Sequence, residues 1–151
     1  MRAPSQLSTS NPQPAVPSHL LDTSVYCQPI KPKPLPSVKR RWRELGDDPL
    51  AISVICEAEL LCGLELKQSA KLRSQYDQLL KGRLQILSVD SSVARSFSQT
   101  KAACRKKGVA ASDLDFLIAA TAKAHGLILA TINVRHFHGI EGLAVEDWSQ
   151  V

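Results

Sequence analysis

Short apolar segments alternate with longer amphipathic segments along almost the whole chain. The apolar segments are "HLL", "PLAISVI", "RLQILSVD", "LILAT" and "LAVEDW", and "PLAISVI" has no polar alternation at all. The segments between them have apolar residues at helical spacing, and four of these segments end at glycines, namely Gly46, Gly82, Gly108 and Gly126. Strands that alternate with helices are typical of a parallel sheet covered on both faces. The sequence therefore predicts an α/β domain with a small, mainly parallel sheet flanked by helices.

The first 18 residues differ in composition from the rest of the chain. Residues 1–18 are rich in Pro, Ser, Gln and Asn and have no periodic apolar pattern, so we predict a disordered tail followed by one domain at residues 19–151. This tail lacks the apolar core of a secretory signal, and no apolar run reaches the length of a membrane span. We therefore expect a cytoplasmic protein without a membrane partner.

Cysteine spacing and net charge limit the classes of partner and site. Cys27, Cys56, Cys62 and Cys104 form no C-x-x-C pair, which favours buried free thiols in a reducing compartment over a zinc site or a disulfide framework. The formal charge of +5 is compatible with an anionic partner such as nucleic acid but does not require one.

The segment "SDLDFLIAATAKAHG" is a predicted helix with two carboxylates, Asp113 and Asp115, at its start. One interpretation is structural, because Ser112 or Asp113 can cap the helix and acidic residues are stabilised near the positive end of the helix dipole. The other is that one of the two carboxylates points into a functional site. The helix alone does not decide between them.

Acidic or amide side chains follow the ends of several predicted strands. Asp22 follows "HLL", Glu57 and Glu59 follow "AISVI", and Asn133 follows "LILAT". In a parallel sheet these loops emerge at one edge, where Asp113 or Asp115 would join them. Clustered carboxylates repel one another, and oxygen-only ligands suit a hard cation such as Mg²⁺ or Mn²⁺. The pattern is therefore compatible with metal-assisted hydrolysis of a phosphodiester.

Structural interpretations of the same acids remain open at this stage. Asp22 is also a common turn residue, and Glu59 is also compatible with a solvated helix position. Helical spacing places the following residues on the apolar side of that helix: Ala58, Leu61, Cys62, Leu64 and Leu66.

Three segments taken together resemble a known family. These are "LLDTSV", "SVICEAELLCGL" and "DLDFLIAATAKAHGLILATINVRHFHGIEGLAVEDW", which span His19 to Trp148. Their order and spacing are similar to those of PIN-domain ribonucleases, and specifically of the VapC-type toxins of bacterial toxin–antitoxin pairs. The resemblance implies a three-layer α/β fold and an endoribonuclease that depends on Mg²⁺ or Mn²⁺.

The resemblance also implies roles for individual residues. Asp22, Glu59 and Asp115 match the three acids that hold the metal ion, partly through water, for hydrolysis of the RNA phosphodiester. Thr23 and Ser24 match the hydroxyl pair after the first acid, and Asp113 is a possible outer or capping residue. The sequence departs from the family at Thr131-Ile132-Asn133, because many PIN domains have a fourth acid where Asn133 stands. This departure leaves open whether one or two metal ions bind.

The sequence also predicts which basic residues contact RNA and which proteins bind this chain. The predicted contacts with the RNA backbone are Lys39, Arg40, Arg41, Arg43 and Arg135. The resemblance further implies a cognate antitoxin, whose C-terminal segment lies in a groove near the early helices, and a homodimer of toxin chains. Candidate groove residues are Trp42, Leu45, Leu61 and Leu64, although core packing is the more frequent role for each.

The residues leave three alternative functions open. The neutral Asn133 would favour a catalytically weak PIN-like module that binds RNA or an antitoxin. An aspartyl-phosphate phosphatase would need a second Asp two residues after Asp22, where the chain has Ser24. A plain binding domain with helix-capping acids predicts no effect of divalent metal on stability.

Overall fold

A computed structural model describes residues 16–150 of the chain. It has five strands, which are β1 (His19–Leu21), β2 (Leu50–Ser53), β3 (Gln85–Leu87), β4 (Ile128–Thr131) and β5 (Val145–Asp147). Its α-helices are α1 (Thr23–Tyr26), α2 (Pro36–Leu45), α3 (Val54–Lys67), α4 (Ala70–Leu79), α5 (Ser91–Lys106) and α6 (Asp113–His125). Two 3₁₀ turns, Gln28–Ile30 and Val134–Phe137, complete the secondary structure.

The five strands form one sheet in the order β3-β2-β1-β4-β5, and every neighbouring pair is parallel. The prediction of a mainly parallel sheet is confirmed. The chain runs outward from β1 to β3 and then returns to the other side of β1 with β4. Strand order therefore reverses between β1 and β4, and the crevice at such a reversal is where open α/β sheets bind ligands.

Helices cover both faces of the sheet, as predicted, so the domain has three layers. Leu21 and Ile52 face a buried cluster that includes side chains of α1 to α4. Leu20 and Leu129 face a second cluster formed with α5 and α6. Strands β1 and β2 are buried along their entire length because both faces are covered. This explains why their sequences show no polar alternation.

The start of α3 differs from the prediction. The sequence predicts a strand throughout "AISVI", but the strand ends at Ser53, whose side chain accepts a hydrogen bond from the backbone N–H of Ile55. Ser53 thereby caps the helix. The β-branched residues Val54 and Ile55 belong to the helix because packing against the sheet overrides their strand propensity.

The predicted apolar face of α3 was also wrong in part. Cys56, Leu60 and Leu64 are the buried residues of this helix. Leu66 is 81% exposed, and Ala58 and Cys62 are exposed as well. Apolar residues occur on every side of α3, so their spacing did not identify the face that packs. The expectation of buried thiols consequently holds for Cys56 and Cys104 but not for Cys62, and all four cysteines are free.

The predicted N-terminal tail lies outside the described residues except for residues 16–18. Ser18 donates its backbone N–H to the Pro49 carbonyl at 2.9 Å, and its carbonyl accepts from Ile128 at 3.0 Å. These bonds extend the β1 ladder by one residue. Within residues 16–150, no helix is both long enough and apolar enough to cross a membrane.

Candidate active site

Asp22 lies at the carboxyl end of the central strand β1, where the strand order reverses. Its side chain is buried, with 6% of the residue exposed, and it is the N-cap of α1. One carboxylate oxygen, Oδ1, accepts the Thr23 backbone N–H at 2.8 Å. The other oxygen, Oδ2, accepts the hydroxyls of Ser24 and Thr131, both at 2.8 Å. Three donors therefore fix the orientation of this carboxylate.

Thr131 links the ends of β1 and β4. Its side chain is fully buried, and its hydroxyl donates to Asp22 while it accepts the backbone N–H of Asn133 at 2.9 Å. The Ser24 hydroxyl in turn accepts the Ile132 backbone N–H at 3.3 Å. The two hydroxyls tie the loop after β4 to Asp22, so the position of this carboxylate depends on both central strands.

Glu59 lies in the second turn of α3 and faces the same crevice. The Thr23 hydroxyl donates to its Oε1 at 2.8 Å. Burial raises the pKa of Glu59, and the charges of Asp22 and Asp115 raise it further, against the lowering effect of the Thr23 hydrogen bond. The adjacent residues Thr23 and Ser24 thus orient two different carboxylates.

Asp115 lies in the first turn of α6. Ser112 is the N-cap of this helix, because its hydroxyl accepts the Asp115 backbone N–H at 3.1 Å. The pKa of the Asp115 carboxyl is raised by burial and by the charge of Asp22, while Ser112 and His136 lower it. The Nδ1 atom of His136 lies 3.6 Å from Asp115 Oδ2. Asp115 therefore belongs to the same electrostatic cluster as Asp22 and Glu59.

The donor set fits a hard divalent cation that keeps part of its water. The available ligands are the carboxylate oxygens of Asp22, Glu59 and Asp115. Burial and repulsion between the carboxylates raise the pKa of Glu59 and of Asp115. No group of three His, Cys, Asp or Glu side chains within residues 16–150 is arranged to hold an ion by itself. Mg²⁺ usually keeps several waters and takes only one or two protein carboxylates directly. The arrangement is compatible with an ion held partly through water.

Two other candidate acids, Asp113 and Glu57, and the neutral Asn133 lie outside this cluster. Asp113 is exposed and pairs with Lys101, with 2.6 Å between the Lys101 Nζ and the Asp113 carboxylate. Glu57 lies beside Tyr76 in a separate cleft on the far side of α3. Asn133 is exposed, and its backbone rather than its side chain contacts Thr131.

Within residues 16–150, no ion pair joins the predicted RNA-binding residues to Asp22, Glu59 or Asp115. Arg41 Nε donates to Glu146 at 2.8 Å, and the same guanidinium lies near Glu44. Lys39 and Arg43 line a different cleft, which lies beside Trp42. The two others, Arg40 and Arg135, are exposed, and Arg135 immediately precedes His136. Contact of these five residues with RNA stays a prediction.

The candidate residues for an antitoxin groove are mainly core residues. Trp42 and Leu64 are buried, and Leu45 and Leu61 are partly buried against the same cluster. Trp42 also lines the cleft of about 460 Å³ near Lys39, and its indole N–H donates to Asp47 at 2.7 Å. Packing is thus the main role of these four residues.

Sequence reasoning missed two features of the site. His136 approaches Asp115 only because the 3₁₀ turn Val134–Phe137 folds back toward α6. Lys31, Lys67 and Lys71 line a groove that begins at Thr23 and Glu59. Lys67 and Lys71 lie four residues apart, but Lys31 is far from both in the sequence, so no charge run predicts that the three share one groove.

Neutralising Glu59 is expected to stabilise the metal-free protein at neutral pH. Because the pKa of Glu59 is raised above its usual value of 4.5, the folded state binds more protons than the unfolded state over that window. The contribution of Glu59 to stability therefore falls as pH rises from the usual pKa through the raised one. Glu59→Gln should raise the melting temperature by about 1–3 °C near pH 7.5, and the gain should vanish below about pH 4.

Differential scanning fluorimetry in EDTA measures this effect. Glu57→Gln, a change of the same chemistry on the same helix but outside the cluster, is the control and should give no such gain. A gain for Glu59→Gln that is equal at both pH values would contradict the electrostatic explanation.

Comparison with known proteins gives consistent matches to one family. The PIN domain matches residues 19–141. The chain is 32% identical over 130 residues to the tRNA(fMet)-specific endonuclease VapC of Shigella flexneri, covering 86% of this chain and 97% of that protein. It is also 29% identical over 135 residues to Toxin FitB of Neisseria gonorrhoeae, covering 85% and 97%.

Solved structures of similar fold include toxin–antitoxin complexes. A chain of DNA-bound VapBC from Salmonella typhimurium aligns with a TM-score of 0.76 and 30% identity, covering 87% of this chain and 98% of that one. A chain of FitAcB from Neisseria gonorrhoeae aligns with a TM-score of 0.80 and 29% identity, covering 88% and 99%. The alignments extend over nearly the full length of both proteins.

Proposed function

This chain belongs to the PIN-domain family and, within it, to the VapC-type ribonucleases, and from that premise we propose a metal-dependent endoribonuclease whose metal ion is held by Asp22, Glu59 and Asp115. The observation that carries the assignment of these residues is their position. Asp22 follows the central strand at the reversal of strand order, Thr23 joins it to Glu59 through a hydrogen bond, and the charge of Asp22 contributes to the raised pKa of both Glu59 and Asp115.

Each residue of the cluster has a separable task. Asp22 is the anchoring ligand because three hydrogen bonds hold it rigidly. Glu59, oriented by Thr23, and Asp115, positioned by the capped start of α6, complete the oxygen donors. A bound Mg²⁺ or Mn²⁺ would supply Lewis-acid activation of water and charge stabilisation on the phosphate. Asn133 supplies no charge, which favours one firmly held ion over two.

The biological partner that the family supports is a cognate antitoxin. Relatives of known structure are VapBC and FitAB complexes, so we propose that this chain is the toxin of such a pair. A homodimer of the toxin chain and the domain boundary at residue 19 stay predictions.

RNA cleavage by the purified, antitoxin-free protein tests the proposal. We expect cutting of a total RNA pool with Mg²⁺ or Mn²⁺ and none with EDTA. Transfer RNA is a separate arm of this test, because one relative is named for tRNA(fMet). Asp115→Asn should reduce the cutting rate by more than about 100-fold, because loss of residues that merely support a metal ligand already costs 10–100-fold.

Asp113→Asn is the matched control. Asp113 is two residues from Asp115 on the same helix turn, but it is exposed and paired with Lys101. This variant should cut RNA within about threefold of the parent, since it changes only a surface ion pair. Equal cutting by all three proteins, or cutting that persists in EDTA, would contradict the proposal. A folded protein without any metal-dependent cutting would favour the catalytically weak module.

A further inference from the structure

A groove leads away from the carboxylate cluster between α3, α4 and the loop after the first 3₁₀ turn. It has a volume of about 530 Å³, and Thr23 and Glu59 form its wall at the end nearest the cluster. Its floor is apolar, and the residues that form it are Ile30, Leu60, Leu64 and Leu72. We call this feature the lysine groove, because Lys31, Lys67 and Lys71 also line it.

The lysine groove is strongly biased toward positive charge. All three lysines are exposed, and none makes an ion pair with another of the residues 16–150. Glu59 is the one acidic residue among the described residues that line the groove. The nearby Arg73, by contrast, forms an ion pair with Glu65. Three cations without an ion-pair partner therefore share one groove, although unpaired basic residues such as Lys81 and Lys106 also occur elsewhere on the surface.

The groove adjoins the carboxylate cluster, because Glu59 and the threonine that hydrogen-bonds to it, Thr23, both line the groove. Cys27 is a partly buried residue of the groove wall, and charged residues of the groove and of the carboxylate cluster both affect its thiol. Burial raises the pKa of its thiol, Lys31 and Lys67 lower it, and Asp22 raises it. Two of the lysines and the anchoring carboxylate thus lie within electrostatic range of the same side chain.

We propose that the lysine groove binds the segment of a single RNA strand next to the scissile phosphate. This inference rests on the proposed function and specifies where that site takes its substrate. Lys31, Lys67 and Lys71 would neutralise successive phosphates, while bases would lie against the apolar floor. The wall formed by Thr23 and Glu59 would place the following phosphate at the carboxylates.

The chemistry of the lining favours a nucleic acid strand over a protein segment. A polyanion gains from three unpaired lysines, and each phosphate contact releases counterions. The charged groups of the described groove lining are the three lysines and Glu59, and Ser69 and Gln75 are polar residues of the same lining that carry no charge. Lysine contacts of this kind fix position without reading sequence. The groove therefore predicts an affinity that depends strongly on salt and weakly on the sequence of the bound segment.

Binding of a labelled RNA in EDTA tests the groove without cleavage. The probe is a fluorescein-labelled single strand of about 12 nucleotides and mixed sequence, within the range of known single-strand site sizes. The variant is the pair Lys67→Gln and Lys71→Gln, which removes two charges and keeps the length of the side chains. Its binding at about 0.1 M salt should be about 10- to 30-fold weaker, and the slope of log K against log salt should fall by about 1.4.

The control pair is Lys81→Gln and Lys106→Gln. Both lysines are exposed outside the groove, and Lys106 lies near the end of α5 as Lys67 lies at the end of α3. This pair changes the net charge by the same amount as the groove pair. If the position of the charges matters, it should lower the slope of log K against log salt by less than about 0.3. Equal effects of the two pairs would overturn the proposal, because they would show a response to net charge alone.

Lysine acetylation followed by mass spectrometry gives a direct readout of position. RNA should protect Lys31, Lys67 and Lys71 from acetylation and leave Lys81 and Lys106 reactive. Asp115→Asn should bind the probe with the slope of the parent although it does not cut. Unchanged binding of the labelled RNA by the groove variant would overturn the proposal.

Failure of this inference is distinguishable from failure of the proposed function. If the parent cuts RNA with metal and the groove variant binds and cuts as the parent does, only the groove assignment is overturned. If the parent binds RNA through the groove lysines but does not cut with either metal, the nuclease proposal fails and the groove stands.

Discussion

Asp22→Asn is expected to reduce RNA cleavage by more than about 100-fold while the protein stays folded. Asparagine keeps the shape of the side chain and an oxygen that can accept the Thr23 backbone N–H, now 2.8 Å from Asp22 Oδ1. The hydroxyls of Ser24 and Thr131 can rotate to accept from the new amide group, so the hydrogen bonds need not be lost. What disappears is the negative charge at the centre of the cluster.

The same variant separates metal binding from the folding of the site. Mn²⁺ should raise the melting temperature of the parent, because any ligand of the folded state stabilises it by mass action. Asp22→Asn should show little of this shift. The pKa of Glu59 and of Asp115 should fall toward its usual value, since the Asp22 charge contributes to both increases.

Asp77→Asn is the control for this experiment, because Asp77 is an exposed acid of α4 outside the cluster. It should keep both the cleavage rate and the Mn²⁺ shift. Cleavage by Asp22→Asn within about fivefold of the parent would contradict the role of Asp22 as a ligand. Absence of a Mn²⁺ shift in the parent would favour the plain binding domain, in which these acids serve as helix caps.

The site could be predicted from the sequence where a local rule and the topology coincide. Asp22 follows a strand of three buried residues, and the carboxyl ends of parallel strands meet at one edge whatever the details of packing. The role of Asp115 is harder to predict from the sequence, because the Ser112 cap and the helix dipole are a sufficient structural reason for an acid at that position. Its partial burial and its approach to His136 favour the functional interpretation, and burial and the charge of Asp22 also raise its pKa.

The features that sequence reasoning missed depend on tertiary packing. Arg41 belongs to a basic run, yet its partner Glu146 is 105 residues away on β5. The lysine groove joins α3 and α4 to residues of α1 and the first 3₁₀ turn, which lie more than twenty residues earlier in the chain. The buried face of α3 is decided by its contacts with the sheet and its neighbours, because the helix offers apolar residues on all sides. Charge and hydrophobicity patterns identify elements well, but they do not identify which exposed charges share a surface.

Trp148→Ala is expected to destabilise the fold by about 3–5 kcal/mol, the usual range for the loss of a buried Trp. Trp148 follows the edge strand β5, and only 2% of it is exposed. It packs in the cluster that contains Leu21 and Trp42, and its indole N–H donates to Glu146 at 3.0 Å. Its backbone N–H donates to the Thr131 carbonyl at 2.9 Å. Trp148 therefore attaches the end of β5 to the domain in two ways. Its indole packs in the core, and its backbone bonds to β4 at Thr131.

Urea unfolding followed by circular dichroism measures this loss, with the transition midpoint as the readout. Trp148→Phe keeps most of the packing and should lose less than half as much stability. Leu66→Ala removes an apolar side chain that is 81% exposed, so it should change stability by less than about 0.5 kcal/mol. A loss below about 1.5 kcal/mol for Trp148→Ala would contradict the role of the indole as a packing centre. Because this variant leaves all three carboxylates in place, its folded fraction should still cut RNA with metal, whereas Asp22→Asn should stay folded and inactive. The opposite behaviour of the two variants would separate the residues that hold the domain together from those that perform its chemistry.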